Sequence, residues 1–267
     1  MLKTELKLPF VWYTALNKQH RFRPQNTDEA PFALICGNAA LLPFQIKRPT
    51  PGSPDTITEF KLYDLTDTAA TNLLSFVGLI EEKHTDTLEY LTYKGNTLTD
   101  TVLPSGCYYA KIVKGTDTYY SEIFTVKSSL AEYLKLEWSH TCDIDPVMYQ
   151  TGLVNTIYLD TYTEPIPPEV NEEGEENGAG EFTPTLQRIV HKHKIEIFAP
   201  DYLLDALAFM QIHNTVQITD YTDTSEMERI KVSPDYGDNY AGSCKIEFEL
   251  PGDYVATNCC SNIALID

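Results

Sequence analysis

The sequence predicts a mainly β protein: an antiparallel β-sandwich over residues 1–129, then an α+β domain over residues 130–267 built from an antiparallel sheet and one packed helix. Three observations predict it. Runs of β-branched and aromatic residues recur along the chain with two-residue alternation, and Gly, Pro and Asn clusters separate them. Only one segment, at residues 200–210, carries clear helical spacing. A length of 267 residues exceeds the ~150 typical of one domain, which leaves room for two.

In the first half, Thr58, Phe60 and Leu62 alternate with Glu59 and Lys61, the pattern of a half-buried strand. Residues 88–93 are rich in strand formers and stop at the turn Lys94-Gly95-Asn96. Pro104-Ser105-Gly106 then precedes a strand from Cys107 to Val113, a turn at Lys114-Gly115-Thr116-Asp117, and a strand from Thr118 to Val126. Two such strands around a short Gly-containing loop make a hairpin. This hairpin resembles the final two strands of immunoglobulin-like and fibronectin-type sandwiches, in which a Pro/Gly turn feeds a Tyr-rich strand. The resemblance covers residues 104–126 and implies an Ig-like domain over 1–129. The Trp of antibody domains has no counterpart at its expected place, which argues against a true antibody-type domain. Lys127-Ser128-Ser129 ends the sheet and marks the domain boundary.

The second half mixes strand and helix. Residues 153–162 read as a strand. From Glu164 to Glu181 there are seven glutamates and no basic residue, a composition too poor in apolar area to order itself; a mobile loop over 164–181 is expected. Ile189 to Phe198 alternate as a long strand. Pro200-Asp201 opens the helix, with proline suited to the first turn and Asp201 to the positive end of the dipole. Leu203, Leu207 and Met210 share one helix face, with Leu204 and Ala206 alongside. Val216–Thr219, Glu228–Val232 and Cys244–Leu250 read as further strands. In the last of these Cys244, Ile246, Phe248 and Leu250 point opposite to Lys245, Glu247 and Glu249.

Charge separates the halves. The formal charge is −19, of which residues 1–129 hold 14 acidic and 13 basic residues while 130–267 hold 25 acidic and 7 basic. Sequence-specific nucleic-acid binding is therefore not expected, because the second half repels phosphate. An acidic surface remains compatible with lining a DNA path without sticking to it. No run reaches the ~18 apolar residues of a membrane span. The opening Met1–Lys7 alternates charge with leucine, unlike a signal peptide, so a soluble protein made in a cytoplasm is expected. Six cysteines, at 36, 107, 142, 244, 259 and 260, show no Cys-x-x-Cys pair. Cys36 and Cys107 could face each other across a sandwich, but free buried thiols are the expectation. Adjacent Cys259 and Cys260 cannot easily bridge each other.

Candidate chemistry is sparse. His191 and His193 lie two apart on a strand and could chelate a metal, but no third ligand stands out. His140, Cys142, Asp143 and Asp145 cluster before Pro146, where a structural turn is favoured over a nucleophilic site. The glutamates of 164–181 lack calcium-loop spacing. Phosphate loops, His-Glu-x-x-His and G-x-S-x-G are missing, so no enzyme, cofactor or metal site is expected. Seventeen tyrosines are the compositional oddity. Tyr108, Tyr109, Tyr119 and Tyr120, with Tyr202 on the helix, are the candidate protein-interaction residues, since a phenol offers apolar area and a polar tip.

Tyr149-Gln150-Thr151-Gly152, Tyr158-Leu159-Asp160, the insertion Glu172-Glu173-Gly174-Glu175-Glu176, the strand around Ile195 and the helix from Pro200 to Leu207 together resemble virion structural proteins of tailed bacteriophages of Bacteroidetes, including the crAss-like phages. The resemblance implies a tail or neck component of the virion, assembled in the host cytoplasm, without cofactor. It would form a homo-oligomeric ring or sleeve around the DNA path beside other virion structural proteins. The alternative is an Ig-like glycan- or receptor-binding adhesion module, which expects exposed tyrosines or Trp12 and Trp138 on one open face. An enzyme using the His140–Asp145 loop ranks last.

Overall fold

The protein, seen here as a computed structural model, is described over residues 7–14, 34–95, 103–176, 178–220, 223–237, 241–251 and 254–258. Met1–Leu6, the Asn96 end of the expected turn, and Cys259 and Cys260 lie outside the described residues.

The chain is mainly β. Its first half forms β1 (Trp12–Thr14), β2 (Leu34–Gly37), β3 (Phe44–Pro49), β4 (Ile57–Asp64), β5 (Ala69–Asn72), β6 (Ile80–His84), β7 (Leu88–Tyr93), β8 (Gly106–Lys114), β9 (Asp117–Ser121) and β10 (Phe124–Lys127). These sort into two sheets. The larger runs β1-β9-β8-β10-β2, with β4 on β8 and β5 on β4; the smaller runs β3-β7-β6. All these pairs are antiparallel except β2 with β10, which is parallel. Phe60, Leu62, Ala110, Ile112 and Trp12 of the larger sheet meet Phe44, Ile46, Leu91 and Tyr93 of the smaller in one dry core. The Phe44 ring sits edge-on to Phe60, with centroids 6.2 Å apart, and stacks on Tyr93 at 5.3 Å. Two stacked sheets with alternating inward residues make this a sandwich.

The strand expected over 118–126 is divided at Glu122-Ile123. Before the break its outer neighbour is β1; after it, β2. Ser121 bridges the irregularity, its Oγ accepting from Ala110 N–H at 2.8 Å and donating to the Glu122 carbonyl at 2.7 Å.

The second half contains β11 (Leu134–Ser139), β12 (Asn155–Leu159), β13 (Glu164–Glu176), β14 (Phe182–Pro200), α1 (Asp201–Met210), β15 (Thr215–Asp220), β16 (Asp223–Glu226), β17 (Glu228–Asp235), β18 (Ala241–Glu249) and β19 (Tyr254–Asn258). One antiparallel sheet was the expectation; there are two, β12-β11-β15-β16 and β13-β14-β18-β17, with β19 on β14. Helix α1 starts at Asp201, as its composition dictates, and buries Leu203, Leu204, Ala206, Leu207 and Met210. It lies against β14, β17 and β18.

The mobile loop expected over 164–181 is corrected. Glu164–Glu176 is strand, laddered to β14 from Glu164↔Lys194 out to Glu176↔Phe182. Strand pairing consumes backbone groups and needs no apolar side chains, so a glutamate-rich segment can be ordered once a long partner strand is fixed. β14 is that partner, held on its other side by β18 over His193–Pro200 and by β19 over Leu186–Val190. The register slips between Ile166 and Glu169, where Pro167 and Pro168 supply no N–H.

A continuous apolar core runs through both halves. Gln45 of β3 reaches across: its Oε1 accepts from Met148 N–H at 2.9 Å and its Nε2 donates to the Met148 carbonyl at 3.0 Å. Leu8 packs with Val147, Tyr149 and Leu153.

Candidate interaction surfaces

The five tyrosines expected to form a contact strip are mostly inside. Tyr108, Tyr109 and Tyr119 are only 7%, 3% and 4% exposed, which corrects the expected strip. The physical reason differs for each. Tyr119 faces the sandwich core, with its hydroxyl donating to Asp117 at 3.3 Å. Tyr108 also faces inward, and its hydroxyl donates back to the Pro104 carbonyl at 3.1 Å. Tyr109 points outward but is covered by Tyr63, stacked at 5.4 Å, and donates to Asp67 at 2.7 Å. Tyr202 is half-buried at the start of α1; burial, then the nearby Glu122 and Tyr13, push its phenol pKa well up. Tyr120 is half-buried on the outward face, its ring 6.2 Å from that of Tyr109. Trp12 and Trp138 are buried in the core, against the open aromatic face that a glycan platform would need.

A narrower surface survives on the outer face of the larger sandwich sheet. The register places Tyr13, Tyr120, Lys111, Lys61 and Asn72 in one row across β1, β9, β8, β4 and β5. Tyr109 and Tyr63 occupy the next row. Tyr13, Tyr63, Tyr120, Lys61 and Lys111 are each half-buried. Lys61 and Lys111 are direct cross-strand partners, a like-charge pair that costs stability unless an anion sits beside it. Glu59 is that anion on Lys111, 2.9 Å away, and also accepts from Tyr63 at 2.9 Å. Burial works against the charge on Glu59, but the bonds from Lys111 and Tyr63 outweigh it and hold its carboxyl below the usual range. The row was not legible as a site because neither Tyr13 nor Lys61 stands in a recognisable motif.

The second surface is the β13–β14 hairpin. Its arms pair from Glu164↔Lys194 to Glu176↔Phe182, and 13 residues of β13 at ~3.3 Å per residue give a length of roughly 43 Å. Near its base, Lys194 meets Glu164 at 2.9 Å and Lys192 meets Glu169 at 2.7 Å. Further out, residues 171–187 carry five glutamates and no basic residue. Glu172, Glu173, Glu176 and Glu181 are exposed, and the cross-strand pair Val170 and Ile189 is 59% and 37% exposed.

The remaining candidates resolve into structural groups. His140 Nδ1 lies 3.0 Å from both the backbone N and O of Cys142, and Asp143 accepts from Gln150 N–H at 2.8 Å; the cluster is an exposed turn. His191 is exposed, while His193 stacks on Phe248 at 5.7 Å. Sequence reading missed His213, which lies 6.2 Å from the His140 ring and caps α1. Its Nδ1 donates to the Phe209 carbonyl at 2.9 Å, a tautomer assigned from that acceptor, which leaves Nε2 to accept from Tyr149. Tyr149 in turn accepts from Asn155 at 2.7 Å. Burial lowers the His213 pKa despite the two backbone carbonyls that favour the cation.

A charged cluster closes one end of the sandwich. Lys114 Nζ lies 2.6 Å from Glu82 and 2.9 Å from Glu89, and Arg48 lies 2.6 Å from Asp55 and 3.1 Å from Glu89. Among the described residues, Glu82, His84 and Glu89 form the one group with metal-ligand proximity. The Lys114 ammonium already lies against two of its three members, and Arg48 reaches Glu89 as well. Burial disfavours that ammonium, but the bonds to Glu82 and Glu89 outweigh it and raise its pKa.

No family model matches this chain, and no curated protein matches it.

Proposed function

We propose that this chain is a structural subunit of a tailed-phage virion, in the tail or neck, that assembles with copies of itself and with other virion proteins rather than catalysing a reaction. One observation carries the reading: a hairpin with 13-residue arms, roughly 43 Å long at ~3.3 Å per residue, whose outer glutamates Glu172, Glu173, Glu176 and Glu181 are exposed. A segment of that kind is stabilised by a neighbour, and β13 offers it an edge. The −18 balance of residues 130–267 suits a surface that faces a DNA path without adhering to it.

The Ig-like reading of the first half belongs to the same proposal. It is supported by the split of strands into a seven-stranded sheet, β1-β9-β8-β10-β2 with β4 and β5, and a facing sheet, β3-β7-β6, and by the parallel pair of β2 with β10. The Tyr108 hydroxyl bonded to the backbone four residues upstream matches the tyrosine corner of such sandwiches. An Ig-like adhesion module is the second reading, favoured by the Tyr13, Tyr63 and Tyr120 face; a glycan array with no bound sugar removes it.

The main test is light scattering and native mass spectrometry on the full chain, followed by peptide mapping of purified particles. Closed oligomers and stoichiometric peptides in particles are expected. A monomer at all concentrations, absent from particles, overturns the reading.

A further inference from the structure

We propose that the strap of residues 140–154, which joins β11 to β12, is an acid-opened latch. Protonation of His213 together with His140 lifts the Tyr149 part of the strap off the end of α1 and releases the strap's hold on the sandwich.

The strap is gripped from two sides. From the sandwich, Gln45 of β3 makes both hydrogen bonds to the Met148 backbone, and Lys83 Nζ reaches Gln150 Oε1 at 3.5 Å. Lys47 pairs with Asp145 at 3.9 Å, but that aspartate is almost wholly exposed, so the pair holds little. From the second half, Val147 and Tyr149 pack with Leu8 and Leu153, and the Tyr149 hydroxyl sits between His213 and Asn155. Met148 and Tyr149 are consecutive, so loosening one grip loosens the other.

The Tyr149 grip needs a neutral His213. The ring's Nδ1–H is committed to the Phe209 and Met210 carbonyls, which leaves Nε2 to accept from Tyr149. Burial keeps the Tyr149 phenol protonated, so the imidazole is the group that titrates. A proton on Nε2 turns it into a donor. The Tyr149 oxygen can accept from both His213 and Asn155, but its own hydrogen then has no acceptor, in a side chain 3% exposed.

The titratable and charged groups around His213 give an imidazolium no counterion. They are Tyr149 and His140 of the strap, and Lys7, whose ammonium lies over the adjoining Phe209 ring at 5.9 Å. α1 contributes backbone carbonyls and β12 contributes Asn155, and no described carboxylate acts on the ring. His140 stands edge-on to it, 6.2 Å between ring centroids, and belongs to the strap itself. Its Nδ1 accepts from Cys142 N–H at 3.0 Å, a role that a proton there ends. Two charged imidazoles facing each other across the seam between strap and helix repel. Acid thus acts on both sides of one contact, and the strap is the element free to move away from it.

Hydrogen exchange by mass spectrometry tests the latch on the full chain at pH 7.5 and pH 5.0, across the range in which histidines titrate, with intrinsic exchange corrected for pH. Strap amides, among them Met148 N–H bonded to Gln45 and Gly152 N–H bonded to the Tyr149 carbonyl, should exchange about fivefold or more faster at the lower pH. Peptides from β8 should keep their protection. His213→Gln should abolish the acid response, and His140→Gln should weaken it. An NMR titration of the parent chain serves if a variant fails to fold: the His213 ring should titrate over the pH range in which strap protection falls. Unchanged strap protection at pH 5.0, an equal loss in β8, an undiminished response in His213→Gln, or a His213 titration separate from strap opening overturns the proposal.

Discussion

Lys114 Nζ lies 2.9 Å from Glu89 Oε1, with the lysine side chain wholly shielded from water and the glutamate 1% exposed. Glu82, Asp55 and Arg48 complete the group, so no charge in it is left alone. Burying ions is costly, and the cluster is tolerated because each ion has partners.

Removing one partner should be severe. Glu89→Gln or Lys114→Met is expected to cost about 3–5 kcal/mol in urea denaturation. The double variant should cost clearly less than the two losses added together, since the second change removes an ion already left without its mate. Strict additivity would show that the two groups are independent.

Gly115 turns β8 into β9 with φ +58°, and a Cβ there would collide with the Asp55 carboxylate of the same cluster. Gly115→Ala should therefore lower stability by more than about 1 kcal/mol, from backbone strain and a displaced Asp55 together. Thermal melts of Gly115→Ala and of Gly52→Ala, where nothing lies near, give the comparison.

His213 makes stability depend on pH. Its folded pKa is lowered, so the unfolded chain binds the proton more readily. Stability from this residue is complete above the unfolded pKa of ~6.5 and is lost as pH falls below it. Protonation of Nε2 also places a second donor against the Tyr149 hydroxyl, which already accepts from Asn155. Melting curves between pH 8 and pH 5.5 should fall for the parent chain and flatten for His213→Gln. Equal slopes would remove His213 from the account.

Thiol reactivity should sort the described cysteines. Cys142 is exposed, whereas Cys36, Cys107 and Cys244 are buried. Burial pushes Cys36 up to about 12 and Cys244 to about 11, far from thiolate at neutral pH. Iodoacetamide at pH 7.5 followed by peptide mass spectrometry should modify Cys142 well before the other three, which should react only in denaturant.

Where side chains alternate against a core, the sequence was enough. β7 spans the same Leu88–Tyr93 that its composition marks, and α1 begins at the Asp201 that follows proline. Those elements are specified by their own residues. β13 is not: its glutamates and prolines read as unstructured, and its strand state is conferred by β14 through backbone bonds. The tyrosines failed for a related reason. Alternation says that Tyr108 and Tyr109 face opposite ways, but it cannot say that Tyr63 and Asp67 cover the outward one. The Lys61–Lys111 opposition needs a register that joins residues 50 positions apart.

The parallel pairing of β2 with β10 joins Leu34 to Phe124 and Gly37 to Lys127. During synthesis the ribosome must release nearly half of the polypeptide before this seam can be sewn, and contacts so distant in sequence form slowly. A stop codon placed ahead of residue 124 would leave the Leu34–Gly37 edge bare, and the nascent fragment would be a target for aggregation and proteolysis.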